Sequence, residues 1–355
     1  MLAAPYAGAV GARGSIVEAI RARGPLRFDR YMELALYGEG GFFEDPPVGA
    51  GGDFVTSPHV HPVFGELLAR AIADMQRRLG GPSPFRITEV GAGDGTLARE
   101  LLVHLASIPV SYLAVERSSG AREALARIEG IDVAAEIEGS PHLVLANELL
   151  DNLPFRRLRG TAGGTTEVFV DLEGDRLVEL LEPRADEPTL EPEIEPEEER
   201  IVPEGALTFV DEIAARLARP GYALLIDYGG VGEAGGPAHG YRSQRLVEDL
   251  LDRPGANDIT AGVDFTLIAD RAEGNGLVAF RPVTQRHALT SLGFDRWIRG
   301  ELGRQARHLD ERRGLDAVRT WSGRSRATLL VDPAALGRLR WLLLGTAGLP
   351  APSWM

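Results

Sequence analysis

A glycine-rich segment with acidic residues beside it is the part of this chain whose residue types are best suited to chemistry. Three glycines, Gly91, Gly93 and Gly95, follow a short apolar run. A helical pattern begins directly after them at Thr96. Glycine lets the backbone turn sharply and lets a ligand approach the main chain, and a helix start offers unpaired N–H groups. The segment therefore predicts a nucleotide-binding turn between a strand and a helix.

The neighbouring residues favour S-adenosylmethionine over a dinucleotide. A dinucleotide fold would place a further glycine at position 96, where this chain has Thr96. Glu89 stands two residues before the first glycine, and a carboxylate there suits a sulfonium with an amino group but would repel a pyrophosphate. Glu116 ends the next predicted strand and could accept hydrogen bonds from both ribose hydroxyls. The alternative is that the glycines form only a tight turn.

Polar residues also follow the third and fourth predicted strands. After the third strand, either Asp132 or the pair Glu136-Ile137 could flank the adenine, and the spacing leaves both open. The fourth strand is followed by Asn147, Glu148 and Asp151. Ligands of open parallel sheets bind beyond the carboxyl ends of the strands, so these three residues are predicted to lie where a methyl acceptor meets the sulfonium. The alternative is that they cap a helix.

Strands and helices alternate through the first half of the chain, which predicts an α/β fold. We expect a Rossmann-like class I methyltransferase, with a mostly parallel twisted sheet and helices on both faces. An N-terminal helical extension and an inserted helical and hairpin region would add to this core. The first four predicted strands are residues 86–90, 110–116, 131–135 and 142–146.

The second half of the chain predicts additions to the sheet. Residues 167–181 form a predicted hairpin, and the acidic, proline-rich residues 182–200 a solvated linker. Residues 222–228 predict a buried central strand, and residues 277–281 with 327–331 a closing strand pair. The predicted division is an N-terminal extension (1–80), a core (81–230 and 270–355), a hairpin insertion (160–200) and a substrate-side insertion (231–325).

Composition excludes several classes of function. The chain has 355 residues, 44% of them hydrophobic, and no cysteine, which rules out disulfides and thiolate metal sites. Its net charge of -14 argues against binding to nucleic acid. No stretch approaches the ~20 apolar residues of a membrane helix, so no membrane insertion is expected. The N-terminus lacks the basic region of a signal peptide, and together with the absent cysteines this predicts a cytoplasmic protein.

Beyond these motifs, the chain resembles the MidA-like S-adenosylmethionine-dependent methyltransferases, which include a mitochondrial assembly factor that methylates an arginine of a respiratory complex I subunit. The resemblance spans nearly the whole chain. The blocks that carry it are Phe28-x-x-Tyr31-Met32-x-x-Ala35-Leu36-Tyr37, Gly52-Asp53-Phe54-x-Thr56-Ser57-Pro58, Phe64-Gly65-Glu66, Glu89-Val90-Gly91-x-Gly93-x-Gly95-Thr96-Leu97, Ala146-Asn147-Glu148-x-x-Asp151-x-Leu153-Pro154, Ile226-Asp227-Tyr228-Gly229, Asp258-Ile259-Thr260-Ala261-x-Val263-Asp264-Phe265 and Thr284-Gln285.

The resemblance implies an arginine acceptor in a partner protein, and a respiratory complex subunit is one candidate. Three departures affect the acceptor side: His59 replaces a usual Glu, Gly262 replaces a usual His, and the segment 241–244 lacks an expected Gly-His. The expected catalytic residues are Glu148, Asp151 and Asp53. The expected cofactor-binding residues are Glu89, Gly91, Gly93, Gly95, Thr96, Glu116, Asn147, Thr56, Ser57 and Pro58. The expected residues of the acceptor pocket are Tyr37, His59, Asp227 and Tyr228.

Several alternatives remain at this level. Asp227 could equally be a buried structural acid. His59 and His61 lie two apart, but no third ligand is apparent, so no metal site is predicted. The acceptor could be a small molecule or another residue type, or the chain could be an assembly factor that binds the cofactor without catalysis. A nicotinamide-dependent oxidoreductase is disfavoured by Thr96. The sequence leaves the oligomeric state open.

Overall fold

The chain forms an α/β structure, seen here in a computed structural model. The structure describes residues 11–44, 56–183, 194–232, 236–242 and 245–355. Asp53 and most of its signature block lie outside the described residues, as do Ser243 and Gln244 and the middle of the acidic stretch. None of the helices in the described ranges is both long and apolar enough to cross a membrane.

The described helices and strands follow the predicted alternation. The helices are α1 (Ala12–Arg23), α2 (Phe28–Tyr37), α3 (Ser57–Val60), α4 (Val63–Arg78), α5 (Thr96–His104), α6 (Ser119–Leu125), α7 (Glu204–Arg216), α8 (Phe265–Gly274), α9 (Gln285–Leu292), α10 (Phe294–Asp310) and α11 (Gly314–Ala327). The strands are β1 (Leu26–Arg27), β2 (Phe85–Val90), β3 (Val110–Val115), β4 (Ile131–Ala134), β5 (Leu143–Asn147), β6 (Arg156–Thr161), β7 (Gly164–Glu173), β8 (Arg176–Pro183), β9 (Glu199–Val202), β10 (Tyr222–Asp227), β11 (Gly229–Gly230), β12 (His239–Arg242), β13 (Arg245–Val247), β14 (Asp258–Thr260), β15 (Val263–Asp264), β16 (Leu277–Ala279), β17 (Val283–Thr284) and β18 (Arg340–Thr346).

The central sheet has the strand order β16-β18-β10-β5-β2-β3-β4, with β17 also paired to β18. Strands β2, β3, β4, β5 and β10 run parallel, and β18 runs antiparallel to β10. Successive side chains of β5 point to opposite faces, so Leu143 and Leu145 pack in one core while Val144 and Ala146 pack in the other. Helices α4, α5 and α9 cover the first face, and α7 and α8 cover the second. The predicted Rossmann-like class is confirmed.

A second, mostly antiparallel sheet carries the N-terminal helices. Its order is β1-β7-β6-β9, with β8 paired to β7, and the predicted hairpin is the β7–β8 pair. Helix α2 buries Phe28, Tyr31 and Met32 in a core shared with Val168 of this sheet and with Phe155, which directly precedes β6. This packing places α2 beside the segment that follows β5, so the N-terminal extension contributes to the same end of the central sheet.

Two predictions for the second half are wrong. Residues 327–331 do not form a strand: Ala327 ends α11, and Thr328–Leu330 form a short 3-10 turn. The closing strand is instead β18, whose residues after Arg340 are all buried. A run of five apolar residues fits a strand and a buried helix end equally well, and here helical packing decides.

The acidic stretch is also not solvated throughout. Its end, Glu199–Val202, is strand β9 and pairs with β6. Glu199 accepts hydrogen bonds from the nearly buried Arg157 at 3.0 and 2.6 Å. A buried guanidinium requires such a partner, which draws this part of the stretch onto the sheet.

Candidate cofactor and acceptor site

A cavity of about 1460 Å³ opens at the carboxyl ends of the parallel strands. Its lining includes Val90 at the end of β2, Glu116 after β3, Asn147 at the end of β5 and Tyr228 after β10. Helix α2 and the 3-10 turn after β5 close one side. This is the edge at which open parallel sheets bind their ligands.

The glycine loop lies at the floor of this cavity. Gly91 has a φ of 74°, and a Cβ atom there would stand 2.9 Å from Cδ1 of Leu149. Gly93 also lines the cavity. Gly95 does not, because it packs against Ile128, whose Cδ1 would lie 2.3 Å from an added Cβ. Gly91 and Gly93 therefore face the ligand space, while Gly95 serves the turn into α5.

Glu116 connects the end of β3 to the glycine loop. Its Oε2 accepts a hydrogen bond from the Gly93 amide at 3.1 Å, and its Oε1 accepts one from the Ser118 amide at 3.1 Å. The side chain lines the cavity. Each carboxylate oxygen keeps a second lone pair, so Glu116 can still accept hydrogen bonds from a pair of ribose hydroxyls.

Glu89, expected to bind the cofactor, is almost fully buried below the glycine loop. It lines the cavity but is 3% exposed, and its Oε2 accepts a hydrogen bond from the Tyr112 hydroxyl at 2.7 Å. Burial raises the pKa of Glu89 to about 7, although the bond from Tyr112 opposes the shift. Glu89 therefore supports the base of the loop as much as it faces a ligand.

A hydrogen bond that sequence reasoning missed connects the signature segment to the glycine loop. Nε2 of His59 lies 3.1 Å from Oδ2 of Asp94, and Nδ1 of His59 lies 2.8 Å from Oγ1 of Thr56. Burial alone would raise the pKa of Asp94, but hydrogen bonds from His59 and the Thr96 amide outweigh it and lower the value to about 2. His59, predicted for the acceptor pocket, thus lines the cavity on the side of the cofactor loop.

Glu148 lies at the end of β5 in a left-handed backbone conformation, with a φ of 54°. Its amide donates to the Ile226 carbonyl at 2.7 Å, and its Oε1 accepts from the Ser57 amide at 2.9 Å and from Nδ2 of Asn147 at 3.2 Å. Burial raises its pKa to about 7. Left-handed residues other than glycine are uncommon and cluster at functional sites. The backbone here aims a carboxylate with a high proton affinity into the cavity.

Asp151 lies one turn further along and also lines the cavity. Its Oδ2 accepts a hydrogen bond from the Thr260 hydroxyl at 2.9 Å, while its Oδ1 is buried without a partner among the described residues. Burial raises its pKa to about 6. Thr260 belongs to one of the blocks that carry the family resemblance, but nothing in the sequence pairs it with Asp151.

Asp227 is fully buried and does not line the cavity. Its Oδ2 accepts from the amides of Leu149 and Leu150 at 3.0 and 2.6 Å, and its Oδ1 accepts from the Tyr228 amide at 2.8 Å. Burial and the nearby Asp151 raise the pKa of Asp227 well above its usual range. Its contacts match the structural alternative: it positions the turn that carries Asp151.

The remaining predicted residues divide between the cavity wall and its support. Tyr37 lines the cavity, donates its hydroxyl hydrogen to the Asn152 carbonyl at 3.1 Å and stacks on Phe43. Pro58 and Thr56 line it as well, whereas Ser57 and Thr96 do not. Of the two adenine candidates, Glu136-Ile137 lines the cavity and Asp132 is exposed elsewhere. The described residues hold no cluster of His, Asp or Glu suited to a metal ion.

Comparison with known proteins identifies the family. A family model described as a putative S-adenosyl-L-methionine-dependent methyltransferase matches residues 67–283. The chain belongs to this family. Its relatives include the mitochondrial protein arginine methyltransferase NDUFAF7 of Mus musculus, which is 30% identical over 319 residues, or 78% of this chain and 72% of the relative. The homologue from Drosophila melanogaster is 30% identical over 314 residues, or 75% and 71% of the two chains.

Two solved structures share the fold across nearly the whole chain. An uncharacterized protein from Burkholderia thailandensis is 26% identical, covers 97% of this chain and 93% of its own, and superposes with a TM-score of 0.80. A likely methyl transfer enzyme from the same organism, bound to S-adenosyl-homocysteine, is 26% identical with a TM-score of 0.77 and coverages of 96% and 92%. This chain is therefore an S-adenosylmethionine-dependent methyltransferase.

The residues of the cavity fit that cofactor. At Gly91 the absence of a side chain avoids a clash with Leu149 and leaves space beside the loop. Oδ1 of Asn147 is buried without a partner in the described part of the chain, next to the loop, and can accept from an amino group. Glu116 can accept from the ribose. The chemistry of this donor and acceptor set matches a cationic amino acid joined to a nucleoside.

The predicted cytoplasmic location is contradicted. The matched relatives, in species from Danio rerio to Homo sapiens, are named as mitochondrial proteins. The absence of cysteine means only that no disulfide can form. Proteins without disulfides occur in more than one compartment. Composition was therefore too weak a basis for that prediction.

Proposed function

We propose that this methyltransferase transfers a methyl group from S-adenosylmethionine to the guanidinium of an arginine in a partner protein. The observation that carries the proposal is the pair of carboxyls, Glu148 and Asp151, which both line the cavity, with Oδ1 of Asp151 buried and without a partner among the described residues. A guanidinium presents five N–H donors in a planar fork and pairs with carboxylates in two-point contacts. The relatives named as protein arginine methyltransferases support the same acceptor.

The charge of the cavity supports a cationic acceptor. Eleven acidic side chains and three arginines line it among the described residues. Asp29, Glu33 and Glu204 of this lining pair with arginines (Arg27, Arg117 and Arg156), so the negative excess is smaller than the number of acidic residues. An acidic cleft raises the local concentration of cations and steers them inward. A neutral or anionic acceptor would gain nothing from this lining.

The carboxyls can also accept the proton that arginine methylation must release. A guanidinium stays protonated in water, with a pKa above about 12. Cofactor binding supplies a sulfonium-bound methyl group, whose transfer to nitrogen leaves a neutral thioether. Glu148 and Asp151 hold the guanidinium so that one nitrogen points toward the cofactor loop, and the proton leaves to one of these carboxylates. Alignment of this kind accounts for much of the rate of such transfers.

Asp227 and Ser57 hold the two carboxyls in position through hydrogen bonds. Asp227 holds the amides of residues 149–151, and the Ser57 amide holds Oε1 of Glu148. Asp53, predicted as a further carboxylate, stays a prediction because it lies outside the described residues. The resemblance further implies a respiratory complex subunit as the partner, and we include that partner class in the proposal.

The proposal is tested with methyl-deuterated S-adenosylmethionine and a lysate from cells that lack this gene. After incubation with the wild-type chain, tandem mass spectrometry should find deuterated methyl groups on arginine side chains of proteins. A parallel reaction with Glu148→Gln should leave those arginines unlabelled while still binding the cofactor. Label in small molecules, or on lysine or glutamine side chains instead, would contradict the arginine assignment.

A further inference from the structure

An arginine of this chain stands at the catalytic edge of the sheet. Strand β18 runs antiparallel to β10, with Arg340 opposite Asp227. The residues just before Arg340 therefore lie beside the carboxyl end of β10, and β10 neighbours β5, which ends at Asn147. Arg338, in the 3-10 turn Leu336–Arg338, occupies this place. The topology therefore places Arg338 at the same edge of the sheet as Glu148.

The side chain enters the same cavity. Arg338 lines it together with Glu148 and Asp151, and its guanidinium carbon lies 5.3 Å from the ring centroid of Tyr228. The pKa of the Tyr228 hydroxyl is raised by burial and by the charge of Glu148, while the charge of Arg338 lowers it. Tyr228 thus feels the charges of both Glu148, a carboxyl predicted to hold a guanidinium, and Arg338, a guanidinium already in the cavity.

Arg338 differs from the other two arginines of the lining. Arg117 pairs with Glu33 and lies over the Tyr37 ring at 4.4 Å. Arg122 donates to the carbonyls of Glu116 and Arg117 at 2.8 and 2.6 Å. Arg338 forms no hydrogen bond and no ion pair with any residue that the structure describes. An exposed, unpaired guanidinium in a cavity lined by carboxylates is free to reach them.

We propose that Arg338 is a methyl acceptor of its own active site, an inference that rests on the proposed arginine specificity. When no partner occupies the cavity, the Arg338 guanidinium moves from the face of Tyr228 to the carboxylates of Glu148 and Asp151. A nitrogen of its guanidinium forms a bond to the methyl carbon as the sulfur–methyl bond breaks. The sulfur keeps the bonding electron pair, and the methylated guanidinium releases one proton to a carboxylate. Charge and atoms balance with S-adenosylmethionine as the only co-reactant.

The modification is tested by incubating the purified chain with methyl-deuterated S-adenosylmethionine and no other acceptor. Peptide mapping by tandem mass spectrometry should place the label on Arg338, and the fraction labelled per minute should not change over a 100-fold dilution of the enzyme. Arg338→Lys should abolish the label, and Arg286→Lys, an exposed arginine outside the cavity, should leave it unchanged. Label on other arginines with Arg338 unmodified would overturn the proposal.

A second readout needs no cofactor. If Arg338 occupies the guanidinium position, its removal should free that position for an added arginine. Titration calorimetry with the peptide acetyl-Gly-Arg-Gly-amide should show about threefold tighter binding to cofactor-free Arg338→Gln than to the wild-type chain or to Arg122→Gln, which removes the same charge from another part of the cavity wall. Equal affinities for all three chains would overturn the occupancy that the proposal requires.

The two proposals fail in different ways. If lysate proteins acquire label on arginine while Arg338 does not, the arginine specificity stands and the internal acceptor is wrong. If the cofactor binds but neither lysate arginines nor Arg338 acquire label, the arginine specificity itself is wrong.

Discussion

Glu148 combines a strained backbone conformation with a carboxyl whose pKa lies near neutral pH. Its φ of 54° is a conformation that costs about 1 kcal/mol or more for a side chain other than glycine. Burial places its pKa near 7, so the carboxyl is largely neutral in slightly acidic solution. A guanidinium beside it would favour the ionised form and lower that pKa. Binding of the guanidinium therefore favours loss of the Glu148 proton, and the resulting carboxylate holds the guanidinium by its charge.

The first prediction is that Glu148→Gln gains stability as it loses function. The pKa of Glu148 is higher in the fold, at about 7, than its ordinary value of 4.5, so the wild-type chain loses stability as the pH rises from about 4.5 to 7. Glutamine removes this loss and keeps an oxygen for the Ser57 amide. At pH 8 its free energy of unfolding should exceed that of the wild type by about 1 kcal/mol, seen as a Tm higher by about 2 °C.

At pH 4.5 the two melting temperatures should coincide. Methyl transfer should fall about 100-fold while the Kd for the cofactor stays within about threefold. Glu123→Gln, an exposed position on α6 outside the cavity, is the matched control and should change neither quantity. A Glu148→Gln chain that is less stable than the wild type at pH 8 would contradict the buried-acid account.

The second prediction concerns pH. Because burial raises the pKa of Glu148 to about 7 and that of Asp151 to about 6, both carboxyls lose their hold on a guanidinium as they become protonated. kcat/KM for an arginine peptide should rise about tenfold from pH 6 to pH 8, as expected for groups that must ionise before binding. Cofactor affinity, measured over the same range by calorimetry, should vary less. A flat kcat/KM profile would show that neither carboxyl contacts the acceptor in its ionised form.

At the scale of elements, the turn after β5 depends on a strand that is distant in sequence. Asp227 ends β10 and accepts the amides of residues 149–151 at 2.6 to 3.4 Å. These hydrogen bonds fix the turn to the end of a central strand. Site precision then comes from the strand, since rigid elements hold catalytic groups more accurately than loops.

The third prediction tests this support. Asp227→Asn places an NH2 group where one carboxylate oxygen accepts amides, so it should lower the free energy of unfolding by about 1–3 kcal/mol. Its kcat should fall more than its cofactor affinity, because the displaced turn carries Asp151. Asp211→Asn, at an exposed ion pair with Arg271, should stay within about 0.5 kcal/mol of the wild type. Denaturant unfolding and steady-state kinetics of both chains decide the matter.

Sequence patterns predicted elements well where one feature dominated. Strand β2 with its glycine turn and the β7–β8 hairpin follow from alternation and turn residues. The closing strand did not, because residues 327–331 and β18 are both apolar runs and only the packing of α11 separates them. The pair of His59 and Asp94 was missed because 35 residues and a helix separate them. Contacts of that kind depend on the tertiary fold and leave no local pattern.

Across the whole molecule, negative charge is in excess, and the lining of the cavity shares this excess. The chain has a net charge of -14, and its cavity is lined by eleven acidic side chains against three arginines in the described residues. Such a field acts over the Debye length, which is about 10 Å at 0.1 M salt. It attracts a cationic segment before any specific contact forms.

The fourth prediction follows from this field. For a peptide with one arginine and neutral neighbours, KM should rise about threefold between 50 mM and 500 mM sodium chloride, while kcat stays nearly constant. Screening weakens the approach of the cation but leaves short hydrogen bonds in place. A KM that is independent of salt would show that the acidic lining does not take part in binding.

We propose that Glu148 serves the methylation of arginine in a partner protein. The most direct measurement compares the proteomes of two host strains, one with the wild-type gene and one with Glu148→Gln at its own locus, by quantitative mass spectrometry of methylated peptides. We expect at least one protein arginine that is methylated in the first strain and unmethylated in the second, at equal amounts of this chain. Unchanged arginine methylation across the two proteomes, or a methyl group lost only from another residue type, would contradict it.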